Sequence, residues 1–452
     1  MAKTREPFEV TIAEACSAIA QGKLTPSKLL ESCLERIDAV EDKVKAWACL
    51  DRESAVKAAK RLDQEVRQGK IRGLLHGIPI GIKDIIYVAG LPNECGSKSC
   101  AGFIPAFDAT VVARLKKAGA IILGKTHTTE YAYFDPAETR NPWGLEHTPG
   151  GSSSGSAAGV AARMFPAALG SQTLGSILRP AAYNGIVGFK GEHGRVSTYG
   201  VVPVSWNLDH VGVLARTVED AAIVFQVIAG YDSRDLYSLN EEAPDCLSRL
   251  ETKRAPRIGL MREYFYERVD DDMRRTTDEA AKRLQEAGAK VEEVAPPASL
   301  GSAHPTGDII IAVEAAAVHE ERFAERKDRY GPGIRGLVEK GLGIKAGDYA
   351  RALHAQRQQM ADALPLFDKY DAILTPGAPS AAPRGMPTGK PLMQAPWTVM
   401  RIPTIALPTA LNKAGLPLGI QLAGAPKAED RLLSVARWCE KALDVRLGMP
   451  LG

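Results

Sequence analysis

Apolar positions in the first 70 residues recur with the spacing of a helix. Between residues 27 and 68 they lie three and four apart, beginning with Leu29, Leu30, Cys33, Leu34, Ile37 and Val40. This spacing places side chains on one face of an α-helix. Thr11 with Glu14 predicts a capping box that opens an earlier helix, and Thr25 before Pro26 predicts a second helix start. The N-terminal part is therefore predicted to be helical.

Short apolar runs alternate with helical patterns along the rest of the chain. The predicted strands are residues 78–82, 120–123, 166–171, 258–261, 290–294, 371–375 and 404–408. The predicted helices are residues 111–117, 156–163, 177–183, 272–286 and 429–443, with a mostly helical stretch over 308–367. This alternation predicts an α/β fold, with a mixed sheet between helices (α/β/α). Without a repeat, a low-complexity tract or a linker, residues 1–452 are predicted to form one domain.

Composition narrows the class of protein. The 452 residues are 45% hydrophobic and 25% charged, which allows a sizeable core, and the net charge is only +3. The absence of a basic block argues against a nucleic-acid partner. A polar N-terminus and the lack of an apolar run of about 18 residues argue against a membrane anchor. Seven scattered cysteines without zinc spacing predict reduced thiols and a cytoplasmic location. No metal or cofactor is expected.

Two serines that follow glycines carry the candidate chemistry. Ser152 lies in the run GGSSSGS, Ser176 follows 24 residues later, and Lys83 lies upstream among isoleucines. A serine nucleophile needs a proton acceptor and donors for the oxyanion that it creates. Taken singly, these features also fit a flexible loop, a helix cap and a surface lysine. Taken together, they could supply nucleophilic catalysis without a histidine.

Several ordered motifs resemble those of the amidase signature family of serine hydrolases. They are GIPIGIKD, GAIILGKTHTTEYA, TPGGSSSGSAAGVAA, GSQTLGSILRPAAYNGIVGFK and LDHVGVLARTVEDAA, and they are densest between Gly77 and Val213. The resemblance extends from about residue 7 to the C-terminus and implies the amidase signature fold. It also implies a catalytic core over about 70–220 and a variable pocket region over about 300–400.

The resemblance further implies roles for individual residues. Ser176 would be the nucleophile, Ser152 the bridging serine on a cis peptide, and Lys83 the base. Backbone N–H groups of Thr173, Leu174, Gly175 and Ser176 would form the oxyanion hole. The nucleophile loop departs from the usual family pattern, because Gln172 replaces an acid, Leu174 a glycine and Leu178 an arginine, with Arg179 one place later.

Two other motifs suggest different chemistry and are discounted. Residues 119–126 match the P-loop pattern, but Ala-Ile-Ile-Leu is typical of a buried strand rather than of an open phosphate loop. Eight histidines invite a metal or a Ser-His-Asp site, yet neither HExxH nor GxSxG occurs. Of these histidines, His127 is kept as a pocket candidate.

The substrate is less closely defined than the reaction. Pocket candidates are His127, Thr129, Tyr131, Gln172, Gln394 and Trp397, and further wall candidates are Phe134, Trp143, Met393 and Met400. Such mostly apolar walls favour a small aryl or alkyl amide, or a carbamate (urethane). The alternatives are the glutamine-hydrolysing subunit of a tRNA-dependent amidotransferase, a hydrolase of urea-like compounds such as biuret or allophanate, and a catalytically silent binding relative. A homodimer is left open.

Overall fold

One sheet organises the computed structural model, which describes residues 5–451. Within that range the sheet has eleven strands. They are β1 (Trp47–Leu50), β2 (Pro79–Lys83), β3 (Ile121–Thr126), β4 (Ala167–Gln172), β5 (Val187–Lys190), β6 (His210–Ala215), β7 (Arg257–Leu260), β8 (Lys290–Glu293), β9 (Ala372–Pro376), β10 (Thr404–Leu411) and β11 (Pro417–Ala423).

Helices connect and cover these strands. The first seven are α1 (Ile12–Ala20), α2 (Pro26–Val44), α3 (Arg52–Arg67), α4 (Thr110–Lys117), α5 (Ser154–Ala161), α6 (Leu178–Asn184) and α7 (Val218–Ile228). The others are α8 (Asp271–Glu286), α9 (Leu300–Arg326), α10 (Pro332–Gly343), α11 (Ala346–Ala363), α12 (Leu366–Lys369), α13 (Ala395–Val399) and α14 (Glu429–Leu443).

Strand order and direction make the sheet mixed, as the sequence predicts. The order is β1-β3-β2-β4-β6-β5-β10-β11-β9-β7-β8. Parallel pairs join β2 to β3 and β4, and β7 to β8 and β9, whereas the other neighbours are antiparallel. Because this one sheet extends from Trp47 to Ala423, it supports the proposal of a single domain.

The middle of the sheet is buried on both faces. In β4, Ala167 and Leu169 belong to one core cluster and Ala168 to another, as expected when successive side chains point to opposite faces. Strands β2 and β4 are parallel, so their carboxyl ends, Lys83 and Gln172, lie at the same edge of the sheet. Ligand sites of parallel sheets form at this edge.

The continuous helical pattern predicted over residues 27–68 is interrupted. Helix α2 ends at Val44 and is followed by Lys45, whose φ of 53° is left-handed. Residues 47–50 then form β1, which pairs antiparallel with β3. Asp51 then accepts a hydrogen bond from the Ser54 N–H and caps α3. Strand pairing therefore overrides local periodicity here, and the helical prediction was wrong on this point.

The P-loop-like segment is a strand, as predicted. Residues 121–126 form β3, and Lys125 is completely buried rather than free to contact a phosphate. Strands β5, β6 and β11 were not predicted from the sequence. Within residues 5–451, the structure contains no helix with the length and apolar character needed to cross a membrane.

Candidate active site

Lys83 occupies the last position of β2 and is fully buried. Its Nζ lies 2.7 Å from Ser152 Oγ, 2.8 Å from Ser171 Oγ and 3.4 Å from the Ser171 carbonyl oxygen. A neutral amine has two N–H donors and one lone pair. If Lys83 donates to the two Ser171 oxygens, its lone pair is left for the Ser152 hydroxyl.

The environment of Lys83 favours its neutral form. Burial lowers the pKa of Lys83 well below its ordinary value, because the ammonium loses its hydration. Among nearby charges, Asp209 acts in the opposite direction and Arg179 lowers the pKa further. The carboxylate of Asp84, the next residue in the chain, is paired with Lys125.

Ser152 lies in a tightly packed turn before α5. The Gly151–Ser152 peptide is cis, and the Ser152 carbonyl accepts hydrogen bonds from the N–H groups of Ser154 (2.9 Å) and Thr129 (3.2 Å). The start of α5 packs against the backbone of Ala46. A Cβ on Gly155 would lie only 2.1 Å from the Ala46 carbonyl oxygen. This close approach explains the need for glycine at position 155.

Ser176 lies between β4 and α6, in a segment that we call the oxyanion loop (residues 173–176). Its carbonyl accepts a hydrogen bond of 3.3 Å from the Ser153 N–H, which brings the two serine segments together. Among the described residues, the backbone N–H groups of Leu174, Gly175 and Ser176 donate to no protein backbone oxygen. In the same part of the chain, no hydrogen bond joins Ser152 Oγ to Ser176 Oγ.

Gln172 fixes the end of the oxyanion loop that leads into α6. Its Oε1 accepts hydrogen bonds from the N–H groups of Ile177 (2.8 Å) and Leu178 (3.0 Å), and its Nε2 donates to Thr398 Oγ1 (2.9 Å). Thr398 Oγ1 in turn lies 2.9 Å from the Leu174 carbonyl oxygen. The neutral amide therefore provides both an acceptor and a donor at position 172, where the usual family pattern has an acid.

A small cavity lies over Ser176. Its volume is about 20 Å³, enough for a group the size of a water molecule. The walls are formed by Ala132, Tyr133, Phe134, Thr173, Leu174, Gly175, Ser176, Arg179, Ile311 and Pro391. Ile311 and Pro391 come from residues 300–400, the region predicted to vary with substrate.

Arg179 contributes an unusual charge to this cavity. It is buried, and its Nη2 donates to the Gly151 carbonyl at 2.6 Å. Its Nε and Nη1 are buried without a hydrogen-bond partner among the described residues. Burial lowers the pKa of Arg179 to about 10, so the side chain remains charged at neutral pH.

The predicted pocket residues fall into two groups. Phe134 lines the cavity, and Gln394 packs against Gly175, where a Cβ would lie 3.3 Å from Gln394 Oε1. Thr129 and Gln172 do not line the cavity. The Thr129 N–H bonds the Ser152 carbonyl, and the Gln172 side chain bonds the N–H groups that follow Ser176. Neither group supplies a continuous apolar wall.

The other predicted pocket residues lie away from the cavity walls. Tyr131 is buried and stacks on Tyr330. Trp397 stacks on Phe265, in a core cluster that also contains Met393 and Met400. His127 packs beside Ala46 and α5, and Trp143 donates to the Asn184 carbonyl. The prediction of an apolar pocket built from these residues is therefore not supported.

Sequence reasoning missed three residues at this site. Ser171 provides the second hydroxyl at Lys83, Thr398 supports the oxyanion loop, and Asp209 accepts a hydrogen bond from Thr173 Oγ1 at 2.6 Å. Ser171 and Asp209 lie within the family-like motifs quoted above, so their positions in those motifs could have indicated that they belong to the site. Thr398 lies outside every quoted motif, and nothing in the sequence indicated its role.

Comparisons with known proteins agree with this geometry. A sequence model of the amidase family matches residues 28–433. A glutamyl-tRNA(Gln) amidotransferase subunit of Geotalea daltonii is 35% identical, over 97% of this chain and 98% of that protein. The protein of the same name from Roseiflexus castenholzii is 37% identical, over 98% of each chain.

Solved structures show the same architecture. Peptide amidase from Stenotrophomonas maltophilia superposes with a TM-score of 0.88 at 31% identity, covering 98% of both chains. The corresponding glutamyl-tRNA(Gln) amidotransferase subunit from Thermotoga maritima gives a TM-score of 0.83 at 30% identity, covering 98% of this chain and 96% of that one. On the family match and these relatives, the chain belongs to the amidase family.

Proposed function

We propose that this enzyme, an amidase-type C–N hydrolase by family, hydrolyses a small amide through an acyl-enzyme on Ser176. The observation that carries the proposal is the contact of 2.7 Å between Lys83 Nζ and Ser152 Oγ, next to the oxyanion loop. A buried, neutral amine can accept a proton at neutral pH, which an exposed lysine cannot do efficiently.

In the proposed reaction, Ser176 Oγ attacks the carbonyl carbon of the amide. Ser152 Oγ accepts the Ser176 proton while its own proton passes to Lys83 Nζ. The developing oxyanion is stabilised by the backbone N–H groups of residues 173–176. The proton then returns through Ser152 to the leaving nitrogen, and water hydrolyses the acyl-enzyme by the same route. Because the two serine hydroxyls are not bonded to each other in this structure, their contact must form when substrate binds.

The proposal also concerns the chemical class of the substrate. A small aryl or alkyl amide, or a carbamate, is the substrate class proposed, although the cavity over Ser176, at about 20 Å³, must widen to admit more than the reacting group. The cavity lining is mostly apolar, but of the residues that first suggested such substrates only Phe134 belongs to it. A neutral substrate would also leave the two unpartnered Arg179 donors unsatisfied, which is costly for buried charged groups.

A second candidate, glutamine hydrolysis, is favoured by Arg179 itself. A carboxylate near the scissile amide would accept hydrogen bonds from the unpartnered guanidinium nitrogens. The relatives from G. daltonii and R. castenholzii carry the name of an amidotransferase subunit. In this alternative the chain would act together with a partner chain. A cytoplasmic location is part of either proposal, and the seven unpaired cysteines support it.

The deciding experiment is a substrate panel on the purified chain. Ammonia release would be measured from glutamine, butyramide, ethyl carbamate and biuret, and nitroaniline release from p-nitroacetanilide, with Ser176→Ala as the control. Turnover of a neutral amide or carbamate supports the first candidate, and turnover of glutamine alone supports the second. If no compound is turned over and Ser176 does not react with a fluorophosphonate, the proposed hydrolase mechanism is wrong.

A further inference from the structure

Asp209 lies opposite the oxyanion loop, just before β6. Strands β4 and β6 are antiparallel, with Gln172 paired to His210. Thr173 and Asp209 are therefore the next residues beyond the end of the ladder. Thr173 Oγ1 donates to Asp209 Oδ1 at 2.6 Å.

The other carboxylate oxygen of Asp209 is also fully engaged. The N–H groups of Val204 and Ser205 donate to Asp209 Oδ2 at 2.7 and 3.1 Å. These donors belong to the turn before β6 and fix the carboxylate relative to the sheet. Because the carboxylate is held in place, its hydrogen bond with Thr173 also holds Thr173, the first residue of the oxyanion loop, in place.

The other anchors of the oxyanion loop hold its later residues. The N–H groups of Arg179 and Ser153 donate to the carbonyls of Gly175 (3.0 Å) and Ser176 (3.3 Å). Thr398 holds the Leu174 carbonyl, and Gln172 holds the N–H groups that follow the loop. Backbone donors in an oxyanion hole work only when they point at the position of the developing charge. Loss of the Thr173 anchor is therefore expected to slow acylation of Ser176.

Asp209 also acts on Lys83 through its charge. Of the charges acting on Lys83, Asp209 has the largest effect and Arg179 on α6 opposes it. Burial raises the pKa of Asp209 to about 6, although its hydrogen bonds oppose this rise and Glu314 on α9 adds to it. The carboxylate is therefore mostly ionised above pH 6. The neighbouring His210 is neutral, because burial lowers its pKa well below the ordinary value.

We propose that Asp209 is a positioning residue for the hydrolytic reaction, which fixes the oxyanion loop through Thr173 and, when ionised, carries a negative charge that acts on Lys83. The inference rests on the proposed function, because it assumes that Ser176 is the nucleophile and Lys83 the base. It assigns Asp209 no contact with substrate.

The test uses the rate at which a fluorophosphonate labels Ser176, measured from pH 5 to 10. In the Asp209→Asn variant, Lys83 loses the negative charge that favours its ammonium form. In the plot of labelling rate against pH, the midpoint of the rise on the acidic side is therefore expected to move to lower pH by about one unit. A role confined to folding would lower the amount of active protein without moving this midpoint.

Two variants of Thr173 test the hydrogen bond independently, even if Asp209→Asn fails to fold. Thr173→Val removes the hydroxyl but leaves the Asp209 charge in place. Its labelling rate is expected to fall at least about tenfold with an unchanged midpoint. Thr173→Ser keeps the hydroxyl and should label at close to the wild-type rate.

The outcomes separate the inference from the proposed function. Suppose that the wild-type protein labels normally. An unshifted midpoint in Asp209→Asn, or a wild-type labelling rate in Thr173→Val, then overturns the inference but not the proposed function. A wild-type protein that does not label, or that labels equally well as Ser176→Ala, overturns the proposed function and the inference with it. The expected shift and rate loss, found together, support the positioning role.

Discussion

Asp84 pairs with Lys125 at 3.0 Å, although it directly follows Lys83 in the chain. Lys125 Nζ also lies 2.6 Å from Asn93 Oδ1. Burial lowers the pKa of this second buried lysine, but the Asp84 carboxylate opposes that effect and favours its charged form. Lys83 has only hydroxyl and carbonyl oxygens as hydrogen-bond partners among the described residues. Two buried lysines at the same sheet edge thus have different environments, and only Lys83 is suited to act as a base.

The pH dependence of activity follows from this difference. Burial lowers the pKa of Lys83, and only the neutral amine can accept a proton. Activity is therefore expected to be lost as the pH falls through that lowered pKa, and to be retained above it. Initial rates from pH 5 to 10, on whichever substrate the panel identifies, would test this expectation. A rate that increases only near pH 10.4, about the pKa of free lysine, would contradict it.

Replacing the base should nearly abolish turnover. Lys83→Arg keeps the positive charge and similar bulk, but guanidinium does not release its proton in this range. We expect turnover below a tenth of wild type, a loss of more than about 1.4 kcal/mol in transition-state stabilisation. Lys98→Arg changes an exposed lysine and serves as the matched control. If Lys83→Arg retained more than that tenth, the general-base role would have to be abandoned.

Covalent labelling should depend on one hydroxyl. A fluorophosphonate reacts with the activated serine oxygen, so Ser176→Ala is expected to remove labelling completely, whereas the exposed control Ser248→Ala should label normally. Intact-protein mass spectrometry would measure the added mass. Undiminished labelling of Ser176→Ala would show that the nucleophile is another residue.

Gln172 should tolerate an acid better than an apolar residue. Gln172→Glu keeps acceptors for the N–H groups of Ile177 and Leu178, whereas Gln172→Leu leaves both N–H groups and Thr398 without this partner. Because buried unsatisfied groups cost about 1–3 kcal/mol each, Gln172→Leu should unfold at clearly lower urea concentration and lose activity. Equal unfolding midpoints for the two variants would argue against the proposed support of the loop.

Arg179 should determine discrimination between anionic and neutral amides. If its unpartnered nitrogens bind a carboxylate, Arg179→Met will lower kcat/KM for glutamine at least about tenfold more than for butyramide, since hydrogen bonds to charged groups contribute about 1.5–3 kcal/mol. Steady-state kinetics on both substrates provide the measurement, and Arg179→Lys, which keeps the charge, should lose less of the discrimination. An equal loss on both amides would assign Arg179 a purely structural role through Gly151.

The sequence predicted the class of fold and most of the strands that carry the candidate catalytic residues. The strands predicted at residues 78–82 and 166–171 are found at 79–83 and 167–172. The prediction from sequence failed for β1, in which Trp47 pairs with Thr126, a residue far along the chain. Such pairing leaves no local pattern, because its stabilising contacts come from distant residues.

The pocket walls were harder to predict for a related reason. Trp397 and Met400 are large and apolar, which suits a pocket wall and a protein core equally well. Only three-dimensional packing shows that both lie in the core. Asp209 was missed because its hydrogen bond to Thr173 depends on the antiparallel register of β4 and β6, which periodicity does not reveal.

The cavity over Ser176 is lined by residues from four separate parts of the chain. Residues 173–179, held by buried hydrogen bonds, and residues 132–134 supply most of the lining, and Ile311 and Pro391 complete it. Substitutions at those two positions can reshape the entrance while the proton-transfer groups stay in place. Selection can therefore act on substrate choice and on bond cleavage almost independently. A change of two or three side chains on the entrance side could redirect this enzyme to a new amide without rebuilding its catalytic apparatus.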